Sequence, residues 1–427
     1  MEIERLYEYY LQSTGIATDT RQIEKGKLFF ALKGDNFNGN SFADQANERG
    51  AILSVIDEPQ YDNGTTFLVK DTLKALQDLA NYHRVKKNIK VLGITGSNGK
   101  TTCKELVKRV LSKKYKVAAT IGNLNNHIGV PLTILNWPEN TEFAVVEMGA
   151  NHKKEIELLC NIAMPNFGLI TSIGKAHIEG FGGVEGVIKG KGELFDYLSK
   201  TDGLAFVNQN LEVLREMASH RKMHIYYYGN QEDVIHGRIL STQPFVDCDL
   251  FFNKERFNVQ SNLIGEYNFL NILAAAAIGY HFGVAPVDIT EAISQYIPDN
   301  NRSQFEQIGQ NKIIFDAYNA NPTSVSHAIK YFNDLEVENK IVVIGDMWEL
   351  GEFALKEHQS IVDQLENCTF NKIILVGEIF GKTKLPTHFL HFNNNIETKK
   401  WFDDSNTIEA TILLKGSRGM KLEKVFK

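Results

Sequence analysis

Only four cysteines, Cys103, Cys160, Cys248 and Cys368, occur in 427 residues, and no two of them form a CxxC pair. That excludes a zinc framework and a disulfide scaffold, and it suits a reducing cytosol. Taken singly, they read as small buried side chains rather than nucleophiles. A basic block is also missing. The 46 Lys and Arg are outnumbered by 52 Asp and Glu, both signs are spread along the chain, and nucleic acid is not an expected partner. The N-terminus, MEIERLYEYY, is charged from its second residue and lacks the apolar core of a secretory signal. The most apolar stretch, 271–282, is broken by Tyr280 and His281 and is too short to span a bilayer. No low-complexity segment or long linker interrupts the chain. These absences predict a cytoplasmic protein with no membrane insertion.

What is there is α/β in pattern. The length exceeds one ordinary core, so more than one domain is expected. Residues 1–85 hold short apolar runs (KLFFAL at 27–32, AILSVID at 51–57, TTFLVKD at 65–71) with helical spacing between them, which predicts a small α/β domain. Residues 86–298 open with VLGIT at 91–95, then a glycine loop and a helical pattern. FAVVEMG at 143–149 and FGLITSIG at 167–174 follow. Runs this apolar, separated by helices, predict a parallel sheet covered on both faces. The stretch 203–263 is richer in short strand-like segments and polar turns, and Tyr226-Tyr227-Tyr228 within it reads as strand packing. Residues 299–427 repeat KIIFDAY, KIVVIGDM, KIILVGE and TILLKGS with helical patterns between most of them, which predicts a doubly wound, Rossmann-like domain. No glycine fingerprint follows the first of these strands, so no dinucleotide is inferred.

The glycine loop, Gly96-Ser97-Asn98-Gly99-Lys100-Thr101-Thr102, lies between a predicted strand and a predicted helix. Glycines let backbone N–H groups converge on phosphate oxygens, and a helix N-terminus favours negative charge. Lys100 is placed to neutralise phosphates and Thr101 to ligate Mg²⁺. The loop is not the standard phosphate motif, because the position of its first glycine is Ile94. It points to a nucleotide without specifying the reaction. Glu147 and His177 stand at or just beyond two further predicted strand ends. In a parallel sheet those ends share a rim with the loop, so both are candidate metal ligands. Near this rim, Lys189 and Lys191 could contact phosphate, face solvent, or (one of them) carry a CO2-derived carbamate that would turn a cation into a metal ligand.

Together, GITGSNGKTT, TIGNLNNHIGVPLTIL, EMGANHKKEI, AHIEGFGGVEGVIKGKGELF, GEYNFLNILAA, DAYNANP, GDMWELG and LLKGSRG resemble the Mur ligase family. The resemblance runs from TDTR at 18–21 to the last predicted strand. DAYNANP at 316–322 is the most discriminating motif. It is similar to that of members that join D-alanyl-D-alanine to UDP-N-acetylmuramoyl-tripeptide. Sister ligases and folylpolyglutamate synthetases carry other residues there.

The resemblance implies a UDP-binding first domain, an ATPase centre and a C-terminal domain closing over ATP, in a monomer. It implies an acyl phosphate made from ATP, then attack by the dipeptide amine. By position, Thr101 and Glu147 resemble ligands of a first Mg²⁺, and His177 and a carbamylated Lys191 those of a second. Lys100, Lys191 and His177 are thus the implied catalytic set. Asn268 and Asn271, spaced i, i+3 on one predicted helix, resemble nucleotide-base contacts, with helix capping as the alternative. Arg302 is implied to reach a phosphate, Asp316 the ribose, and Asn319 and Asn321 the closing cleft. Ser417 and Arg418 resemble a loop near the dipeptide. Thr20 and Arg21 resemble uridine and diphosphate contacts, and Asn123, Asn125 and Asn126 residues near the sugar and diphosphate. One departure is plain. The DGH usual before the first-domain phenylalanine reads Asn38-Gly39-Asn40-Ser41-Phe42 here. The competing readings are a sister ligase, a phosphate-loop ATPase or small-molecule kinase, and a non-catalytic binding subunit.

Overall fold

A computed structural model describes residues 2–299, 302–405 and 407–427. The first apolar runs form a four-stranded parallel sheet ordered Ile16–Ala17, Leu28–Phe30, Leu53–Ile56, Thr66–Leu68. Helix Thr72–Lys87 follows, capped by the Asp71 side chain, which accepts from the Lys74 N–H. The helix ties this sheet to the rest of the chain. Arg84 on it is buried and donates to the carbonyls of Ala163 at 3.0 Å and Met164 at 3.1 Å and to Asn166 Oδ1 at 3.0 Å.

The middle of the chain builds a six-stranded sheet, all parallel, ordered His224–Tyr228, Leu204–Asn208, Phe167–Ile170, Lys90–Thr95, Phe143–Glu147, Val117–Ala119. Its central strands are apolar over most of their length because both faces are covered, with polar residues at strand ends. Leu92, Ile94, Phe143 and Val145 pack with Leu106, Val107 and Ile272, which lie on helices Lys100–Leu111 and Tyr267–His281. Val91, Ala144 and Val146 pack on the opposite face with Ile156, Leu159, Leu194 and Phe195, from helices Glu155–Ala163 and Val184–Lys200. Successive side chains on a strand point to opposite faces, so the middle of a doubly covered strand is apolar on both, and the polar residues Thr95, Glu147 and Asn208 fall at the strand ends. The three tyrosines at 226–228 belong to the edge strand of this sheet. An antiparallel meander, Ile235–Ser241, Asp247–Phe252 and Glu255–Gln260, follows.

The last part is a second six-stranded sheet, ordered Gln304–Ile308, Asn311–Asp316, Thr411–Lys415, Lys340–Gly345, Lys372–Val376, Leu390–Phe392. Its first pair is antiparallel and the other four pairings are parallel. The four repeated apolar runs of the sequence are four of these strands. Among the described residues no helix is long and apolar enough to cross a membrane.

Parallel strands deliver their polar ends to one rim. In the middle sheet that rim carries the loop after Thr95, Glu147, and the segment after Ile170. In the last sheet it carries Asp316 and Lys415. The two rims face each other. Asn321 Nδ2 donates to Asn98 Oδ1 at 2.7 Å, Lys175 Nζ donates to Glu357 at 2.6 Å, and the Lys175 N–H donates to Thr323 Oγ1 at 3.2 Å.

Candidate active site between the two rims

The glycine loop leaves strand Lys90–Thr95 and enters helix Lys100–Leu111 through Gly99, whose φ of +82° is left-handed. A Cβ at Gly99 would stand 2.5 Å from Asn271 Oδ1, and one at Gly96 (φ +144°) would stand 2.1 Å from Thr171 Oγ1, so both positions need glycine for conformation and for space. The loop is pinned to the end of the neighbouring strand. Ser97 N–H donates to the Ser172 carbonyl at 2.8 Å, and Thr171 Oγ1 donates to the Asn98 carbonyl at 2.6 Å. Lys100 Nζ folds back on its own loop, donating to the Gly96 carbonyl at 2.6 Å. Burial pushes the Lys100 ammonium down to about 8, with Glu147 opposing and Arg302 adding to the shift.

A cleft of about 860 Å³ opens over this loop. Ser97, Asn98, Gly99, Lys100 and Thr102 line it from the loop. Asn123, Asn125, Asn126, Glu147, His177, Asn268 and Asn271 line it from the middle of the chain, and Arg302, Asp316, Asn319 and Asn321 from the facing rim. Among the described residues expected at the site, Gly96, Thr101, Lys191, Ser417 and Arg418 stand outside this lining. Thr101 is buried behind the loop. Thr20 and Arg21 line a separate cleft of about 490 Å³ in the first domain, with Phe29, Phe37, Phe42 and Arg49. There Arg21 pairs with Asp19 at 2.6 Å and holds that carboxyl down at about 2. Behind this cleft Asn40 is buried and bonded to Asp57, its Nδ2 donating at 2.8 Å and its Oδ1 accepting from the Asp57 N–H at 2.9 Å.

Glu147 is buried at the end of its strand. Its Oε1 accepts from Asn125 Nδ2 at 2.8 Å, and its Oε2 is buried with no hydrogen-bond partner. An orphaned carboxylate oxygen in such a place is costly unless a cation completes it. Among the described residues no three His, Cys, Asp or Glu side chains converge to hold a metal by themselves. His177 has a left-handed φ of +54°, and its Nδ1 meets the Glu349 carboxylate of the facing rim, which holds that carboxyl below its ordinary range.

Lys191 is completely buried. Its Nζ donates to the Ala150 carbonyl at 3.0 Å and lies 5.1 Å from the Phe181 ring centroid. Burial drives its ammonium well below the ordinary lysine range; Lys100 pushes the same way, against Glu155 and Glu193.

Asn268 and Asn271 bond to each other, Asn271 Nδ2 donating to Asn268 Oδ1 at 2.9 Å, at the head of helix Tyr267–His281. Asp316 accepts from Lys415 Nζ at 2.6 Å and from the Ser303 N–H at 3.3 Å. The Arg302 guanidinium lies 3.8 Å from the Tyr318 ring centroid, and Arg418 lies 4.8 Å from the same ring. Ser417 Oγ accepts from the Trp348 N–H at 2.9 Å. Asn321 caps helix Pro322–Asp334 in a reciprocal box with Ser324, while its amide reaches Asn98. Tyr318, Lys415 and Glu349 are site residues not singled out from sequence. Tyr318 lies inside DAYNANP and Glu349 inside GDMWELG, both visible as motifs.

The Mur ligase middle domain family matches residues 94–279, the Mur ligase glutamate ligase domain family 302–395, and the Mur ligase catalytic domain family 12–84. A curated Bacillus subtilis (strain 168) relative, UDP-N-acetylmuramoyl-tripeptide--D-alanyl-D-alanine ligase, is 36% identical over 97% of this chain and 92% of its own length. The chain belongs to the Mur ligase family. The Escherichia coli K12 protein of the same name is 31% identical to this Mur ligase over 96% of the chain and 92% of its own length. Among solved structures, MurF from Acinetobacter baumannii superposes with a TM-score of 0.87 at 29% identity, covering 99% of this Mur ligase and 97% of that chain. MurF from Thermotoga maritima in complex with ADP gives 0.86 at 25% identity, covering 97% and 96%.

Proposed function

We propose that this Mur ligase joins D-alanyl-D-alanine to UDP-N-acetylmuramoyl-tripeptide at the expense of ATP, in cytoplasmic peptidoglycan synthesis. The full-length similarity to ligases of that name supports the substrates, and the ADP complex of a relative supports the nucleotide. The observation that carries the reading is the contact between Asn321 of DAYNANP and Asn98 of the phosphate loop, which puts the discriminating motif and the nucleotide loop on opposite walls of one cleft.

A carboxylate resists amide formation because hydroxide or oxide is a poor leaving group. Transfer of the γ-phosphoryl group from ATP to the tripeptide carboxylate breaks the β–γ P–O bond and makes an acyl phosphate. The dipeptide amine then attacks the acyl carbon, phosphate leaves, and the amine loses a proton as the amide forms. The chain's part is positioning and charge stabilisation. Gly96 to Thr102 would cradle the phosphates, with Lys100 offsetting their charge. Asn268 and Asn271 would meet the base, Asp316 the ribose and Arg302 a phosphate. Asn319, Asn321, Ser417 and Arg418 would face the dipeptide side. Thr20 and Arg21 would take the UDP end in the first-domain cleft, and Asn123, Asn125 and Asn126 the sugar side. Thr101 and Glu147 would hold one Mg²⁺, and His177 with Lys191 a second. When bound, these ions offset the negative charge that builds on the phosphoryl oxygens.

For Lys191 to serve as a ligand, its neutral amine must attack CO2, forming an N–C bond and releasing a proton to leave an anionic carbamate. Burial that favours the neutral amine supports this. Lys191→Ala is expected to be inactive and partly restored by short carboxylates. Absence of rescue, with an unmodified lysine in the mass of the intact protein under CO2, removes the carbamate.

The deciding assay is phosphate release with ATP, Mg²⁺, UDP-N-acetylmuramoyl-tripeptide and D-alanyl-D-alanine, each omitted in turn. Release that needs all of them, with a pentapeptide product by mass, is expected. Release without either peptide component overturns the ligase reading in favour of a plain ATPase.

A further inference from the structure

Lys104 lies one turn beyond Lys100 on the helix that the phosphate loop opens, and its side chain is only 1% exposed. A buried ammonium is costly unless it is paired and hydrogen-bonded, and the partners of Lys104 are specific. Lys104 Nζ contacts Glu105 Oε1 at 2.6 Å and donates to the Thr120 carbonyl at 2.7 Å. Thr120 is itself buried, and its Oγ1 accepts from the Glu147 N–H at 2.9 Å. It also begins the loop whose Asn125 reaches Glu147 Oε1 at 2.8 Å and whose Asn125 carbonyl accepts from the Gly149 N–H at 2.8 Å. The loop thus bonds both the Glu147 N–H and one of its carboxylate oxygens, and Lys104 ties the start of that loop to the phosphate-loop helix.

We infer that Lys104 is a positioning residue that sets Glu147 and the asparagine loop relative to the phosphate loop, through Thr120, and so tunes Mg²⁺ binding with the nucleotide. The inference rests on the assignment of Glu147 to the metal. Lys104 touches neither nucleotide nor metal in this scheme. It fixes the distance between two walls that must close on the same ion, as outer partners of metal ligands do.

The test uses Lys104→Met, which keeps the length of the side chain and removes its donors. ADP affinity is titrated by calorimetry at stepped Mg²⁺ concentrations, alongside kcat and KM of the full ligase reaction. The Mg²⁺ concentration for half-maximal enhancement of ADP affinity is expected to rise about tenfold. ADP affinity without metal should be unchanged, and kcat should fall with little change in KM for D-alanyl-D-alanine. A folded Lys104→Met with the wild-type Mg²⁺ midpoint overturns the inference. If that variant does not fold, Thr120→Val carries the same test, since it keeps the carbonyl that Lys104 uses and removes the hydroxyl that Glu147 uses. A folded Thr120→Val with the wild-type midpoint then overturns the inference in the same way. Glu147→Gln separates the two levels. A wild-type midpoint in Glu147→Gln overturns the metal assignment and this inference with it, whereas a shifted midpoint there beside an unshifted Lys104→Met overturns the link alone.

Discussion

At the scale of single residues, the site is governed by polar groups that burial leaves short of partners. Lys100 is held on its own loop carbonyl, its charge weakened by desolvation, and in the proposed function the phosphates of ATP would supply counter-charge. Lys100→Ala is therefore expected to lower kcat for ATP turnover by on the order of a hundredfold to a thousandfold, the scale for losing one main stabiliser of transition-state charge. Stopped-assay phosphate release checks it, and near wild-type turnover counts against the phosphate-loop assignment. His83 shows the same physics in a structural setting. It is buried between Tyr7 and Tyr10, with Nδ1 3.1 Å from the Tyr7 hydroxyl, and burial lowers its pKa to about 4. A histidine depressed in the folded state stays neutral there while the unfolded chain takes up a proton below about 6.5. Its contribution to stability is therefore complete above about 6.5 and is lost as pH falls from there to about 4. Melting temperatures from pH 7 to 4 should fall more steeply for the wild type than for His83→Gln; parallel curves would show that His83 does not titrate in that window.

Helix Thr72–Lys87 is the clearest case at the scale of elements. Its Asp71 cap and its basic last turn (Arg84, Lys86, Lys87) mark both ends in the sequence. Its role in joining the first domain to the middle sheet comes from Arg84, which supplies donors to two helix-end carbonyls and to Asn166. Arg84→Met takes the guanidinium donor from the buried Ala163 carbonyl and from two part-buried acceptors, of which Asn166 Oδ1 keeps the Val91 N–H, and a destabilisation of about 1–3 kcal/mol is expected. A urea midpoint lowered with an unchanged slope would register it, and an unchanged midpoint would mean that water replaces the guanidinium. Helix Pro322–Asp334 has a cap that serves a second purpose, since Asn321 holds both the helix start and the phosphate loop.

For the whole molecule, the question is how the two rims meet. Asn98–Asn321, Lys175–Glu357 and His177–Glu349 clasp the last domain against the middle sheet around the cleft. Asn321→Ala should cost about 1 kcal/mol through the lost cap and should also loosen the clasp. Small-angle scattering should then report a larger radius of gyration for the variant without ligands, and a smaller difference with ADP and Mg²⁺ bound. Identical scattering of variant and wild type in both states would show that the clasp does not govern closure.

The amino-acid sequence by itself determined the parts whose cause is local. Buried parallel strands declare themselves as continuous apolar runs because both faces need apolar side chains. The phosphate loop declares itself because glycines at 96 and 99 are required by left-handed backbone and by close neighbours. DAYNANP and the asparagine loop were legible through the resemblance to the Mur ligases rather than through any local pattern of their own. Only the tertiary structure decided which of these residues meet. Asn98 and Asn321 are 223 positions apart, and nothing in either segment names the other. The Tyr318 ring has Arg302 and Arg418 over it from two ends of the last domain. Glu349 reaches His177, and Lys104 reaches Thr120, by packing of elements that share no local pattern. Periodicity and turn chemistry specify an element within a few residues of themselves. Contacts between rims depend on how whole sheets stack, and the sequence carries that information only in the sum of its burial.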